Sequence, residues 1–416
     1  MNVNFSTGKL VVLLAVLGIG VGFVNFFLVS RFNRQQQSAL ERNTSGRILS
    51  LFSNKNMDFS KLDIDPLGEY RVQPNFMKAT GSTRKRHDVS MVTHCTINNL
   101  HYLLNLVHHW KGSISIAVIV PGLDIIVAYK SIIGLHICSS KIRERVSFHV
   151  VYPLSHPALM NDLMYYAKQA RKVTPRSCEE FLVGMQTTGV IQNKNYANIQ
   201  IPYPNNLLRN IARSNADKDY IFMVDIDMMC NGNLYHDFLK FAEDNNLFGN
   251  SQDMRVFVVP AFESQESVSV DLTKNGLIQL WDSGKIQPFY FKACWKCQRP
   301  TNYEDWKRHK SKSTGLDISH KVEWEDPWEP FYIGPYHVPM YDDRFKKYGF
   351  NRISQVCETH IAGYDFAVLD NAFLVHHGFK NKFHKKKDEE NDINRKLFRK
   401  FKQELKKKYP DSKRRC

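Results

Sequence analysis

Nothing in this chain cradles a phosphate with glycine: neither the G-x-x-x-x-G-K-[ST] loop nor the G-x-G-x-x-G turn occurs. That excludes P-loop nucleotidases and glycine-fingerprint dinucleotide enzymes. No segment repeats at a fixed period, which excludes solenoids and propellers. Cys294-x-x-Cys297 has no second Cys/His pair at finger spacing, so it reads as two structural cysteines rather than half a zinc site. Acidic residues are the scarcer charge, 41 against 57 Lys and Arg, for a net +16. The surplus is local, because residues 380–416 hold 16 Lys/Arg against 6 Asp/Glu. With the rest only mildly basic, this end reads as a solvated helix face rather than a nucleic-acid site. Ile393, Leu397, Phe401 and Leu405 recur every four residues there and predict an amphipathic helix docked on the body.

What the chain does contain is a sizeable apolar fraction, 43% with 12% aromatic, enough for one large domain or two medium ones. Residues 10–29 are almost wholly apolar. As a helix rising about 1.5 Å per residue they span the ~30 Å of a bilayer core. The run exceeds the roughly 7–15 apolar residues of a cleaved signal, so it reads as an anchor. Lys9 before it and Arg31 and Arg34 after it do not fix the orientation. Asn43-Thr44-Ser45 is an N-glycosylation sequon beyond the span, and Asn4-Phe5-Ser6 is another before it. Eight cysteines permit disulfides in an oxidising compartment. Residues 30–87 are polar and aperiodic and read as a stem.

From residue 88 the pattern alternates. Residues 89–93, 114–120, 146–152, 220–224 and 255–260 read as strands. Helical patterns fall at 97–110, 159–172 and 205–215. Such alternation predicts an α/β fold with a mainly parallel sheet, whose ligands bind at the carboxyl ends of the strands. Asp225-Ile226-Asp227 falls at such an end, after the apolar run 220–224. In an extended segment both carboxylates would face one cation. The same tripeptide occurs as Asp63-Ile64-Asp65 in a polar stretch, where no metal is expected. The aromatic segment Trp324-Glu325-Asp326-Pro327-Trp328-Glu329-Pro330-Phe331 suits either a sugar-stacking surface or core closure.

Trp328-Glu329-Pro330-Phe331-Tyr332, Tyr341-Asp342-Asp343-Arg344-Phe345, Tyr348-Gly349-Phe350-Asn351-Arg352 and Phe373-Leu374-Val375-His376-His377-Gly378-Phe379-Lys380 resemble glycosyltransferase family 49. Residues 203–210, 259–263, 300–303 and 402–416 extend the resemblance over most of 88–416. It implies a GT-A type nucleotide-sugar transferase fold, with a mainly parallel central sheet, behind one N-terminal transmembrane helix. The implied layout is a cytoplasmic tail at 1–9, a signal anchor at 10–29, a stem at 30–87 and a lumenal catalytic domain at 88–416. The setting it implies is the Golgi membrane, with type II topology. Implied partners are UDP-glucuronate as donor, a glycan acceptor on a glycoprotein and other glycosyltransferases. Nucleic acid is not expected. The implied metal is Mn2+, with Mg2+ as the alternative.

Carried residue by residue, the resemblance makes Asp225 and Asp227 the metal and donor-diphosphate motif and His376 the third metal ligand. Lys380 reaches the diphosphate, and Asn206 and Arg209 hold nucleotide. An inverting displacement needs a carboxylate base. Asp342 is the first choice, with Glu329 and Glu358 as rivals. Arg344 or Arg352 would hold the glucuronate carboxylate. Asn43 is the expected glycosylation site. Two other readings stay open, an N-acetylglucosamine donor on the same fold and a non-catalytic scaffold.

Overall fold

The structure is a computed structural model that describes residue 31 and residues 63–81, 87–157, 175, 177–187, 201–266, 268, 273–310, 315–380 and 385–416. The expected span at 10–29, the sequon at Asn43 and the helix at 159–172 lie outside the described residues. No helix among the described residues is long and apolar enough to cross a membrane.

The folded part begins earlier than residue 88. β1 (Asp63–Ile64) and β2 (Tyr70–Met77) form an antiparallel pair, and β2 continues onto a ten-stranded sheet. The expected stem is therefore shorter. Asp65 is the reason: its buried carboxylate accepts the backbone N–H groups of Leu67, Glu69 and Tyr70, closing the turn between the strands. This copy of the tripeptide shapes a turn, with its carboxylate committed to backbone.

β3 (Val89–Thr96), β4 (Ile114–Ile119) and β5 (Val146–Pro153) lie side by side and parallel, with β6 (Tyr220–Met223) parallel to β3 on its other flank. Their side chains are buried on both faces, as continuous apolar runs in a parallel sheet require. β7 (Met228–Cys230), β8 (Arg255–Val259), β9 (Ala261–Ser264), β10 (Ile286–Pro288), β11 (Asp317–Val322), β12 (Phe331–Pro335), β13 (Asp365–Asp370) and β14 (Leu374–His377) follow. The large sheet runs β1-β2-β5-β4-β3-β6-β12-β8-β13-β11 and the small one β10-β9-β14-β7. The large sheet is mixed rather than mainly parallel. β12 enters between β6 and β8 and runs antiparallel to both, and antiparallel pairs close both ends. Nothing local in β12 announces its direction.

Three strands of the large sheet run on into the small one: β6 into β7, β8 into β9 through Pro260, and β13 into β14. The junction between the sheets is where residues 225–227 fall.

Helices α1 (Leu103–His109), α2 (Ile125–Cys138), α3 (Asn205–Ser214), α4 (Leu234–Asp244), α5 (Asn351–Ile361) and α6 (Lys385–Lys408) cover the sheet. Two apolar cores form. One takes Met91 with α1, α2 and α4, and the other takes Val92 with α3, α5 and α6. Neighbouring strand residues in different cores mark the two faces of one sheet. Trp324, Trp328 and Phe331 are buried in this packing. The aromatic segment therefore closes the core and is not a sugar-stacking surface.

The basic C-terminal helix docks, on a stripe that shares Phe401 and Leu405 with the expected one, has Leu397 at its edge and leaves out Ile393. Ile393 is 69% exposed, whereas Asn394, Phe398, Phe401 and Leu405 are buried. A spacing of four turns the helix by about 400°, so it drifts off any one face, while spacings of three and four alternating keep to it. Asn394 donates to the carbonyls of Lys346, Tyr348 and Gly349. The end of the chain is fixed by Cys357–Cys416, one of three disulfides beside Cys138–Cys178 and Cys294–Cys297. Part of the tail's charge is used in packing, since Lys408 pairs with Glu358 and Arg414 with Asp365. Phe401→Ala is expected to cost about 3–5 kcal/mol in chemical denaturation, and Ile393→Ala within about 0.5 kcal/mol. Equal costs would place the stripe at the four-residue spacing instead.

Candidate active site at the junction of the two sheets

After β6 the chain does not stay extended. Met228 N–H donates to the Asp225 carbonyl at 3.0 Å, closing a turn over residues 225–228. The two carboxylates therefore do not share one direction, contrary to the expectation for an extended tripeptide. Asp225 faces two arginines, and Asp227 faces His376 and Lys380. Their side chains remain 34% and 32% exposed, open enough to meet a ligand.

Asp225 is held from behind. Arg209 Nη2 lies 3.3 Å from its Oδ1 and Arg352 Nη2 2.7 Å from its Oδ2. Burial works to raise this carboxyl's pKa, but Arg352 and then Arg209 outweigh it and hold it well below the usual carboxylate range. The arginines are themselves fixed. Arg209, on α3, donates to Asn206 Oδ1 and Asn351 Oδ1 and lies over the Tyr341 ring. Arg352, on α5, lies 4.0 Å over Phe331. Asn206 is fully buried and its amide donates to the carbonyls of Asp342 and Asn351. In this structure Asn206 and Arg209 thus reach the site through Asp225.

Asp227 Oδ2 lies 3.1 Å from His376 Nε2 and 3.8 Å from Lys380 Nζ. His376 stands on β14, in register with Met228 of β7. Its Nδ1 lies 2.9 Å from the Gly378 carbonyl, which can only accept, so that nitrogen carries the proton. Nε2 faces an Asp227 carboxylate oxygen, to which it can donate as an imidazolium or with which, as a neutral ring, it can share a cation. A carbonyl-oriented imidazole is the usual form of a metal ligand. Among the described residues no three His, Cys, Asp or Glu side chains converge as a ready cage. The residues present fit an ion that takes Asp227 and His376 and completes its shell with phosphate and water.

Of the three proposed bases, the structure brings Glu329 to the Asp225 cluster. Burial raises its carboxyl to about 7, Arg352 opposes the rise and Asp225 adds to it. Asp342 is instead locked in a fork with Arg344, whose guanidinium also binds Glu404 of α6. Glu358 accepts from Lys408 and the Tyr409 hydroxyl, six residues along α5 from Arg352, about 9 Å on the helix axis. Both carboxylates tie down the C-terminal helix. For the same reason Arg344 is spent there, whereas Arg352 belongs to the cluster.

His94 was not among the expected site residues. It lies two residues before the end of β3, the strand that pairs with β6, and its Nδ1 meets the Tyr203 hydroxyl at 2.7 Å. Its Nε2 is buried with no hydrogen-bond partner, as is Thr93 Oγ1 beside it. Burial, with Arg209 second, lowers its pKa to about 3. The signal in the sequence was its position, polar and at the carboxyl end of a strand beside β6.

The chain belongs to the glycosyltransferase family described as "Glycosyl-transferase for dystroglycan", which matches residues 88–410. It is 42% identical over 374 residues to "Beta-1,4-glucuronyltransferase 1" of Danio rerio, covering 85% of this chain and 83% of that protein. The human protein of the same name is 40% identical over 364 residues, with the same coverages. "Xylosyl- and glucuronyltransferase LARGE1" of Homo sapiens is 26% identical over 290 residues, 70% of this chain and 31% of that one. Likeness to solved structures is slight. Staphylococcal TarS 1-349 with UDP-GlcNAc is 9% identical at a TM-score of 0.36, covering 79% of this chain and 68% of that one.

Since an ordinary histidine has a pKa near 6.5, His94 is expected to stay neutral where others titrate. Below pH 6.5 the unfolded chain takes up this proton and the folded one does not, so its contribution to stability falls as pH drops toward 3. NMR of the His94 ring should show no titration between pH 5 and 8. A midpoint near 6.5 would contradict its burial.

Proposed function

We propose that this chain transfers glucuronate, with inversion, from UDP-glucuronate to a xylose-ended O-mannosyl glycan of the α-dystroglycan type, forming a β-1,4 linkage. The observation that carries this reading is the Asp225–Asp227 turn at the sheet junction, in a chain 40–42% identical to proteins named "Beta-1,4-glucuronyltransferase 1". The GT-A organisation is part of the proposal. So is the setting, a type II protein of the Golgi membrane anchored by residues 10–29 with residues 88–416 lumenal. Three disulfides support an oxidising compartment.

Asp227 and His376 would hold a divalent cation, Mn2+ ahead of Mg2+ because one ligand is a nitrogen. When bound, such an ion supplies Lewis-acid stabilisation of the departing diphosphate. Lys380 adds a point charge beside Asp227. Asp225, kept ionised by Arg209 and Arg352, orients the donor. His94, neutral with a buried free ring nitrogen, holds the nucleotide end.

Glu329 is the base. As carboxylate it takes the proton of the acceptor hydroxyl, whose oxygen bonds to the anomeric carbon while the bond to UDP breaks on the opposite side. A pKa near 7 suits this task, since a share of the group is ionised at neutral pH while it retains affinity for the proton. Asp342 and Glu358 lack that freedom because their partners hold them.

A lumenal fragment with UDP-glucuronate, Mn2+ and a β-xyloside should release UDP and form a glucuronyl product, and no product with a folded protein would refute the assignment. The rate at limiting acceptor should rise with pH through about 7 as Glu329 loses its proton. Glu329→Gln should lower kcat by roughly 10²–10⁴-fold and abolish that rise. A variant keeping both rate and profile would remove Glu329 from the role.

A further inference from the structure

The rings of the aromatic segment at 324–331, one of whose two readings was sugar stacking, are buried, so the acceptor has to be held by something else. The loop that follows β10, residues 289–298, touches the site at both ends. At its start Phe289 lies 6.0 Å from the His376 ring and stacks on Tyr290 at 4.1 Å. At its end the Cys297 carbonyl accepts Glu329 N–H at 3.0 Å, and Gln298 Nε2 donates to the Glu329 carbonyl. The loop thus runs from the proposed cation ligand to the proposed base.

Between those contacts it presents two large aromatics to solvent. Phe291 is 48% exposed and Trp295 37%, whereas most other aromatic rings among the described residues are buried. Their centroids are 5.3 Å apart with planes 69° to one another. The backbone beneath is fixed by the Cys294–Cys297 disulfide and by Cys294 N–H to the Tyr290 carbonyl. Trp295 also rests against the buried Tyr303 ring at 6.1 Å. Exposed rings on a braced loop lose little entropy when a ligand covers them.

We infer that Phe291 and Trp295 form the acceptor-glycan platform, stacking against the apolar faces of two successive sugars beside Glu329. Aromatic faces meet the C–H faces of pyranoses, and hydroxyls at the ring edges stay free for polar contacts. This inference rests on the transferase reading of the same site, and its occupant is the non-reducing end of the acceptor rather than the donor.

The test is a comparison of Michaelis constants, using a β-xylosyl-terminated disaccharide as acceptor. Trp295→Ala and Phe291→Ala should each raise the acceptor KM about tenfold and leave the KM for UDP-glucuronate at the wild-type value. Trp295→Phe should recover most of the loss. An unchanged acceptor KM, or equal rises in both constants, would overturn the platform. Saturation-transfer NMR of the disaccharide alone reads the platform even if the donor assignment fails. Signal on wild type that disappears in Trp295→Ala supports it, and equal signal on both overturns it.

Discussion

The ion pairs of Arg209 and Arg352 with Asp225 are the constraint on which the rest of the site depends. They fasten one carboxylate of the tripeptide to α3 and α5 while the Asp225–Met228 turn swings the other toward β14. Without the pair, a carboxylate at the end of a buried strand would take up a proton instead of staying charged. The arginines need support of their own. Asn206, Asn351, Tyr341 and Phe331 supply it, each from a different part of the chain.

That dependence runs outward to the C-terminus. α5, which carries Arg352, is tied by Cys357 to Cys416 and by Glu358 to Lys408 and Tyr409. Arg344 bridges the Asp342 loop to Glu404. Asp342 and Glu358, two of the three base candidates, are bound up in these contacts, and the basic tail is a strap whose charge is partly neutralised by what it binds.

Much of the fold was legible in residues 89–96, 114–119 and 146–153, where short apolar runs alternate with helical patterns and local periodicity decides the outcome. β12 was not, because its direction is set by β6 and β8 on either side of it. Of the site, the tripeptide could be picked out from its place at a strand end, and His376 through the family resemblance. The turn at Asp225 could not, because a strand end and a turn share one sequence pattern until a hydrogen bond chooses. His94 was missed for a related reason: its significance lies in a buried nitrogen left without a partner, and burial is a property of the fold. Ile393 shows the limit of counting by fours, which holds for two turns and then drifts.

The division of the two carboxylates between arginines and a histidine is tested by Mn2+ binding, followed by electron paramagnetic resonance in the presence of UDP. Asp227→Asn and His376→Ala should each weaken Mn2+ binding by at least about tenfold, while Asp225→Asn leaves most of it in place. Equal loss in Asp225→Asn and Asp227→Asn would contradict it, since both carboxylates would then be ligands of one ion.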